Sequence, residues 1–165
     1  MIIARVLDPQ SKLATAGGLG PETAVTSLGA VLGLERVSEN DLYFAMDWLG
    51  EQQERIENVL AAKHLKGGLL VLYDITSTYF EGTAQGNPQA RRGYSRDSRP
   101  DCPRVLIGLV ATKEGLPIAF EIFDGNRPDV TTAQEMVQVM ESKYGKAERV
   151  WVLDRGMVSE KNLAF

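Results

Sequence analysis

The spacing of apolar and polar residues changes near residue 67 and divides the chain into two parts. From Ser38 to about His64 apolar residues recur on one face of a helix, and the stretch ends at the glycines of KGG. Ser38 followed by Asp41 resembles a capping box, which predicts where this helix begins. Residues 1–37 are weakly patterned, and their TAGGLGPET is typical of a turn-rich connector. We therefore predict a helical N-terminal segment over residues 1–66.

Beyond residue 67 the pattern is that of a sheet. LLVLY is an apolar run that predicts a buried strand over about 68–75, which could continue to Phe80. PRVLIGLVAT and LPIAFEIFDG predict two further strands, and the short KEG between them predicts an antiparallel hairpin. PDVTTAQEMVQVMESKYG predicts a helix, RVWVLD a fourth strand, and Ser159 the N-cap of another helix. This order predicts an α/β fold with a mixed sheet over residues 67–165.

Two of the four predicted strands end on an aspartate: Asp74 follows the first and Asp154 the fourth. Because a helix joins the hairpin to the fourth strand, that strand can lie parallel to the first, with their carboxyl ends adjacent. Open α/β sheets place their sites at this edge. Two close carboxylates repel one another unless a cation joins them, and their oxygens suit Mg²⁺, Mn²⁺ or Ca²⁺. We therefore predict that Asp74 and Asp154 hold a metal ion, with the Thr76 hydroxyl orienting Asp74.

The amino-acid composition excludes some kinds of site but does not identify the function. The chain has 165 residues with one His and one Cys, too few for a zinc cluster or an internal disulfide. A single Cys fits a reducing cytoplasm. No apolar run reaches the length of a membrane span, so we expect no membrane partner.

Charge is distributed unevenly along the chain. The net charge is −4, yet residues 85–104 contain five arginines and two aspartates, a local charge of +3. This stretch has no periodicity, and loops of this length are usually functional or disordered. An acidic body with one basic loop favours binding of phosphate at one place. We predict phosphate contacts by Arg91, Arg92, Arg96, Arg99 and Arg104.

Several blocks of the sequence, in this order, resemble one family of bacterial proteins. They are LYDITSTYFEG, RRGYSRDSRPDCPRVLIGLV, EGLPIAFEIFDGNRPDVTT and VWVLDRGMVSEKNL, preceded by DLYFAMDWL. Together they resemble the DDE-type insertion-sequence transposases of the insertion-sequence-four superfamily, across residues 38–165. The resemblance implies a ribonuclease H-like core, double-stranded DNA as the partner that the arginines contact, Mg²⁺ or Mn²⁺ as cofactor, and a bacterial cytoplasmic, nucleoid-associated location.

The resemblance also assigns roles to the two aspartates. Asp74 matches the first acid of the family's catalytic triad and Asp154 the second. The third is a glutamate on a helix further along, in a Tyr–Arg–Glu–Lys signature, and this sequence ends at Phe165 before it. The intact protein would then cleave and transfer DNA strands and self-associate. This portion would have weak or no catalysis and one exposed face of its sheet.

Other functions remain open from the sequence. The chain could be a catalytically inactive remnant that binds DNA or an intact transposase. A structure-specific nuclease would need further acids, and the local candidates Asp124 and Asp129 are more typical of a turn and a helix cap. A metabolic α/β enzyme could use Asp74 in acid–base chemistry, although the sequence has no glycine-rich phosphate loop and only one His.

Overall fold

The computed structural model describes all residues except 22, 24, 66–69, 95–97, 147, 164 and 165, together with the side chain of Leu163. The chain forms two compact units, Met1–Arg55 and Ile56–Phe165. The first unit is helical, with α1 Ile2–Leu7, α2 Lys12–Gly18, α3 Leu28–Val31 and α4 Glu39–Glu51. Its small core is made by Ala16, Leu19 and Leu42. Part of the predicted connector is therefore helical, because α2 continues to Gly18.

Helix α4 begins at the predicted capping box. The Ser38 hydroxyl oxygen accepts from the Asp41 N–H at 3.2 Å, and the Asp41 carboxylate accepts from the Ser38 N–H at 2.8 Å. The backbone and side-chain hydrogen bonds from Ser38 hold the pKa of Asp41 below its usual value. The start of the helix is therefore fixed by two reciprocal bonds.

The single helix predicted from Ser38 to His64 is in fact two helices. The α4 helix ends at Glu51, and α5 spans Gln53–His64. Between them the N–H of Gln52 donates to the Leu49 carbonyl at 3.1 Å, a tightened turn that interrupts the regular ladder. The apolar spacing does not reveal this break because it continues on both sides. The later part of α5 packs against the core of the second unit through Leu60.

The described residues of the second unit include a four-stranded mixed sheet. Its strands are β1 Leu70–Tyr79, β2 Arg104–Thr112, β3 Pro117–Asp124 and β4 Val150–Leu153. They lie in the order β3–β2–β1–β4, with β2 antiparallel to both β1 and β3, and β4 parallel to β1. This architecture confirms the predicted α/β class with a hairpin and a parallel fourth strand. It is consistent with part of a ribonuclease H-like sheet.

One face of the sheet packs against α6, Thr132–Tyr144, which forms the crossover to β4. Alternate residues of β1 point into this core, and methionines of α6 cover them. Fully burying such a side chain stabilises the fold by about 2 kcal/mol each. The most buried members of the core are Val71, Ile75, Val110, Ile118, Met136, Met140 and Met157.

The chain after β4 forms a 3-10 turn, Arg155–Met157, and then α7, Glu160–Leu163. The predicted cap of this last helix is confirmed, because the Asn162 N–H donates to the Ser159 hydroxyl oxygen at 3.1 Å.

An ion-pair cluster joins α5, β3 and α6. The Lys143 ammonium lies 3.0 Å from a carboxylate oxygen of Glu57 and 2.9 Å from one of Glu121. Glu57 is only 4% exposed, and its other oxygen accepts from the Phe120 N–H at 3.2 Å. Burial lowers the pKa of Lys143, but the hydrogen bonds to Glu121 and Glu57 outweigh this effect and raise the pKa.

Replacing Lys143 with Met should lower the free energy of unfolding by about 2 kcal/mol. The substitution leaves the buried Glu57 carboxylate without its cation, while the solvent contact of Lys143 moderates the loss. Urea denaturation measures the effect. Glu57→Gln combined with Lys143→Met should recover most of it, and simple additivity of the two changes would contradict this account.

Candidate functional site

The parallel register of β1 and β4 makes Asp74 and Asp154 neighbours. The paired residues run from Leu70 opposite Val150 to Tyr73 opposite Leu153, so the next position along both chains is the two aspartates. Neighbouring strands lie about 4.8 Å apart. Both aspartates are exposed, whereas Tyr73 and Ile75 on either side of Asp74 are buried in the core. The two carboxylates therefore belong to the sheet face opposite α6.

The structure corrects the position of this pair within the sheet. Of the two ends expected for the first strand, near Asp74 or as far as Phe80, the structure has the longer one, at Tyr79, and Asp74 pairs with Leu109 in the middle of the β1–β2 ladder. Only β4 ends here, at Leu153. The pair therefore lies part of the way along β1, where the shorter β4 stops, and not at the edge of the sheet.

A short turn places Asp154 at the end of β4. The Met157 N–H donates to the Asp154 carbonyl at 2.9 Å, and the Met157 side chain is buried. The Asn162 side-chain amide donates to the carbonyls of Met157 at 2.8 Å and Val130 at 2.9 Å. Asn162 thereby links this turn to the segment that leads into α6. The sequence gives no signal for this role beyond the position of Asn162 inside the capped first turn of α7.

Thr76 shares a face with Asp74 but does not hydrogen-bond to it. Residues two apart on a strand are separated by about 7 Å, which is beyond direct hydrogen-bond reach for two short side chains. The role of Thr76 in orienting Asp74 stays a prediction, and it would require a bridging water or metal-bound water.

The face that carries the two aspartates is mainly apolar around them, and the described residues leave part of it exposed. Leu109 opposite Asp74 is 41% exposed, and Phe120 opposite Leu109 is 38% exposed. Val150 and Val152 of β4 are exposed on the same face. The expected exposed sheet face is thus confirmed for the part of the chain that the structure describes.

Two neighbouring carboxylates are a suitable partial ligand set for Mg²⁺ or Mn²⁺, which also keep several water ligands. Among the described residues, no group of three or more His, Cys, Asp or Glu side chains could hold a metal ion. Asp124 cannot join the pair, because it pairs with Val105, four positions along β2 from Leu109, which is about 13 Å. The described residues therefore offer two acids at this place.

A buried hydrogen-bond chain holds β1 beneath the aspartate pair. The Tyr73 hydroxyl donates to the Thr132 hydroxyl at 3.0 Å, which in turn donates to the Asp129 carbonyl at 2.7 Å. Burial raises the pKa of Tyr73 to about 12, partly opposed by the hydrogen bond with Thr132. This series of hydrogen bonds was not predicted from the sequence, because Tyr73 and Thr132 are 59 residues apart in it.

Tyr73→Phe should lower the free energy of unfolding by about 1 kcal/mol at pH 7 through loss of one hydrogen bond. The folded pKa of Tyr73, about 12, exceeds the value of about 10 in an unfolded chain. The folded state therefore keeps the proton longer, and this stability is complete below pH 10 and falls as the pH rises toward 12. The difference between the wild type and Tyr73→Phe should shrink above pH 10 in urea denaturation. Exposed Tyr94→Phe is the control, and a gap that does not change with pH would contradict the assignment.

The predicted phosphate-binding arginines have different environments. Arg91 and Arg92 are exposed, and Arg96 lies outside the described residues. Arg99 is bound to Glu81 at 2.9 Å and Asp101 at 3.0 Å, and its guanidinium carbon lies 5.1 Å from the centre of the Tyr79 ring. These hydrogen bonds raise the pKa of Arg99, and the Arg99 guanidinium lowers the pKa of Asp101 to about 2. A DNA phosphate at Arg99 would have to compete with two carboxylates.

Arg104 does not lie on the surface as predicted. It is 1% exposed, and its guanidinium donates to the Tyr94 carbonyl. Arginine is almost never fully buried unless paired, so its sequence position gave no warning. Of the five predicted arginines, Arg91 and Arg92 are the described ones whose charge reaches solvent without an ion pair.

No described helix has the length and apolar character needed to cross a bilayer. No protein-family model matches the chain, and no curated protein matches it. Among solved structures, the chain is similar to one described as "Mos1 transposase paired-end complex with left transposon end", with a TM-score of 0.37 and 11% identity. That match covers 99% of this chain and 53% of the other, so the chain spans about half the length of the solved structure.

Proposed function

We propose that this chain is part of a DDE-type DNA transposase of a bacterial insertion sequence. Asp74 and Asp154 would hold Mg²⁺ or Mn²⁺, and Arg91 and Arg92 would contact the backbone of double-stranded DNA. The observation that carries the proposal is the register of β1 and β4, which makes the two aspartates neighbours on an exposed face. The transposase blocks in the sequence support the choice of DNA as the substrate.

The two aspartates and the two arginines have separate tasks in the proposed reaction. When bound, the metal ion supplies Lewis acidity for phosphodiester cleavage. Asp74 and Asp154 provide oxygen ligands from two adjacent strands, which fixes where the cleaved phosphate must lie. The exposed Arg91 and Arg92 neutralise backbone phosphates and position the duplex without reading its sequence. With two acids in the described residues, we expect little cleavage by this chain.

The test is whether the chain binds Mn²⁺ through Asp74 and Asp154 and binds duplex DNA through Arg91 and Arg92. Electron paramagnetic resonance of free Mn²⁺ measures the first and fluorescence anisotropy of a labelled duplex the second. Failure to bind either would overturn the proposal.

A second candidate is a catalytically inactive protein that binds DNA or an intact transposase. The observation that favours it is the lack of a third metal-ligating side chain among the described residues. Incubation of supercoiled plasmid with the chain and Mn²⁺ separates the two. Nicking that Asp74→Asn abolishes supports a catalytic protein, whereas DNA binding without nicking supports the inactive one.

A further inference from the structure

Arg104, at the start of β2, lies beneath residues 91–94 of the basic loop. Its backbone exchanges two hydrogen bonds with Arg91, at 2.9 and 3.0 Å, and its guanidinium Nη1 donates to the Tyr94 carbonyl. Within the part of the chain that the structure describes, it forms no ion pair, and its Nε and Nη2 have no hydrogen-bond partner. Burying a cation in this way is costly.

Residues 89–94, here called the strap, are seated across the ends of β2 and β3. The Gly125 N–H donates to the Gln89 carbonyl at 3.0 Å, and the Gln89 side-chain amide donates to the Ile122 carbonyl at 2.8 Å. Glycine is required where the backbones meet: a Cβ on Gly93 would lie 2.7 Å from the Gly125 carbonyl oxygen. The strap is therefore held by backbone contacts at one end and by Arg104 at the other.

We propose that Arg104 is a positioning residue, which holds the strap so that Arg91 and Arg92 face DNA, and that it does not itself contact DNA. An apolar side chain of similar length would be buried at lower cost, so stability alone does not account for an arginine here. The bond from its guanidinium to Tyr94 supplies the reason, because this is the side-chain contact that ties the far end of the strap to β2. The DNA part of this inference rests on the proposed function, whereas the state of the strap can be measured without DNA.

Arg104→Met in the full chain should change the order of the strap without lowering the stability of the fold. The unfolding midpoint should stay the same or rise, because a buried charge is replaced by an apolar chain. Hydrogen exchange of the Arg91 and Gly125 amides should become roughly tenfold faster, since the bond from a charged donor to Tyr94 is lost. The affinity for duplex DNA should fall to that of the double variant Arg91→Ala with Arg92→Ala, with the same change in salt dependence.

Two further variants make the test decisive. The triple variant, which adds Arg104→Met to the Arg91→Ala and Arg92→Ala pair, should bind DNA no more weakly than that pair. The reason is that Arg104 affects DNA binding only through the positions of those two side chains. Arg127→Met is the control: this arginine is paired with Glu135, and among the described residues its side chain forms no hydrogen bond or ion pair with the strap, so amide exchange of Arg91 should not change. The proposal would be overturned if Arg104→Met left the amide exchange of Arg91 and Gly125 unchanged. It would also be overturned if this variant failed to fold, or lost stability and DNA affinity together. If the wild type does not bind DNA, the proposed function fails, and amide exchange in Arg104→Met still shows whether Arg104 holds the strap in place.

Discussion

Asp74→Asn should weaken Mn²⁺ binding by the chain at least about tenfold while leaving the free energy of unfolding within about 0.5 kcal/mol of the wild type. Loss of a residue that merely supports a metal ligand costs roughly 10- to 100-fold in affinity, so loss of a direct carboxylate ligand should cost no less. The amide keeps the size of the side chain and removes only its charge. Because Asp74 is exposed on the sheet face, little else depends on that charge.

Matched variants show whether the loss of Mn²⁺ affinity comes from the pair of Asp74 and Asp154. Asp154→Asn should give a similar loss, and the double variant should bind scarcely more weakly than either single one, because both oxygens serve one ion. Asp47→Asn on α4 removes a carboxylate that is also exposed, from the other compact unit, and should leave Mn²⁺ affinity unchanged. Equal losses for Asp47→Asn and Asp74→Asn would show diffuse attraction of the cation by an acidic protein and would rule out the site.

The strands, the hairpin and the crossover helix follow from local patterns, which is why they could be predicted. The apolar runs of β1 and β2, the short KEG turn and the helical spacing after Pro128 each depend on residues close in sequence. The adjacency of Asp74 and Asp154 also follows, since a right-handed helical crossover leaves few ways to place the fourth strand. The mixed sheet with β4 parallel to β1 agrees with that reasoning.

What could not be predicted depends on partners far along the chain. The residues after Asp74, Thr76 and Ser77 among them, suit a strand or a turn, so the sequence left the end of β1 open. They extend β1 because β2 offers a continuous ladder as far as Arg104. The link from Tyr73 to Thr132 and the burial of Arg104 are likewise invisible until the elements are assembled. Charge counting along residues 85–104 could not separate arginines that reach solvent from those held by Asp101 or Tyr94.

The structure therefore replaces a loop of five equivalent arginines with a much smaller basic surface. Arg99 is balanced by two carboxylates and Arg104 is buried, so the positive charge that duplex DNA could meet on the described residues of this loop is concentrated at Arg91 and Arg92. Both lie on the strap, whose backbone is fixed to β2 and β3. A fixed backbone lowers the entropy cost of holding each of these long side chains against a phosphate.

Replacing Arg91 and Arg92 together with Ala should weaken binding to a 30-base-pair duplex by roughly 10- to 100-fold near 0.1 M salt, through loss of two phosphate contacts. The dependence of log K on log salt should become shallower by about 1.8, which is the contribution of two neutralised phosphates. Because backbone contacts carry no sequence information, two unrelated duplexes should show the same loss. Fluorescence anisotropy at several KCl concentrations measures both quantities.

The control for this prediction removes the same charge elsewhere. Arg36→Ala with Lys113→Ala takes away two exposed cations that lie outside the strap, and it should change the affinity by less than about threefold. If both double variants weaken binding equally, the effect comes from net charge and the strap has no special role. If the strap variant alone weakens binding but leaves the salt slope unchanged, Arg91 and Arg92 act by shaping the loop and not by neutralising phosphates. The salt slope thus decides between contact and indirect effect, which a single affinity measurement cannot do.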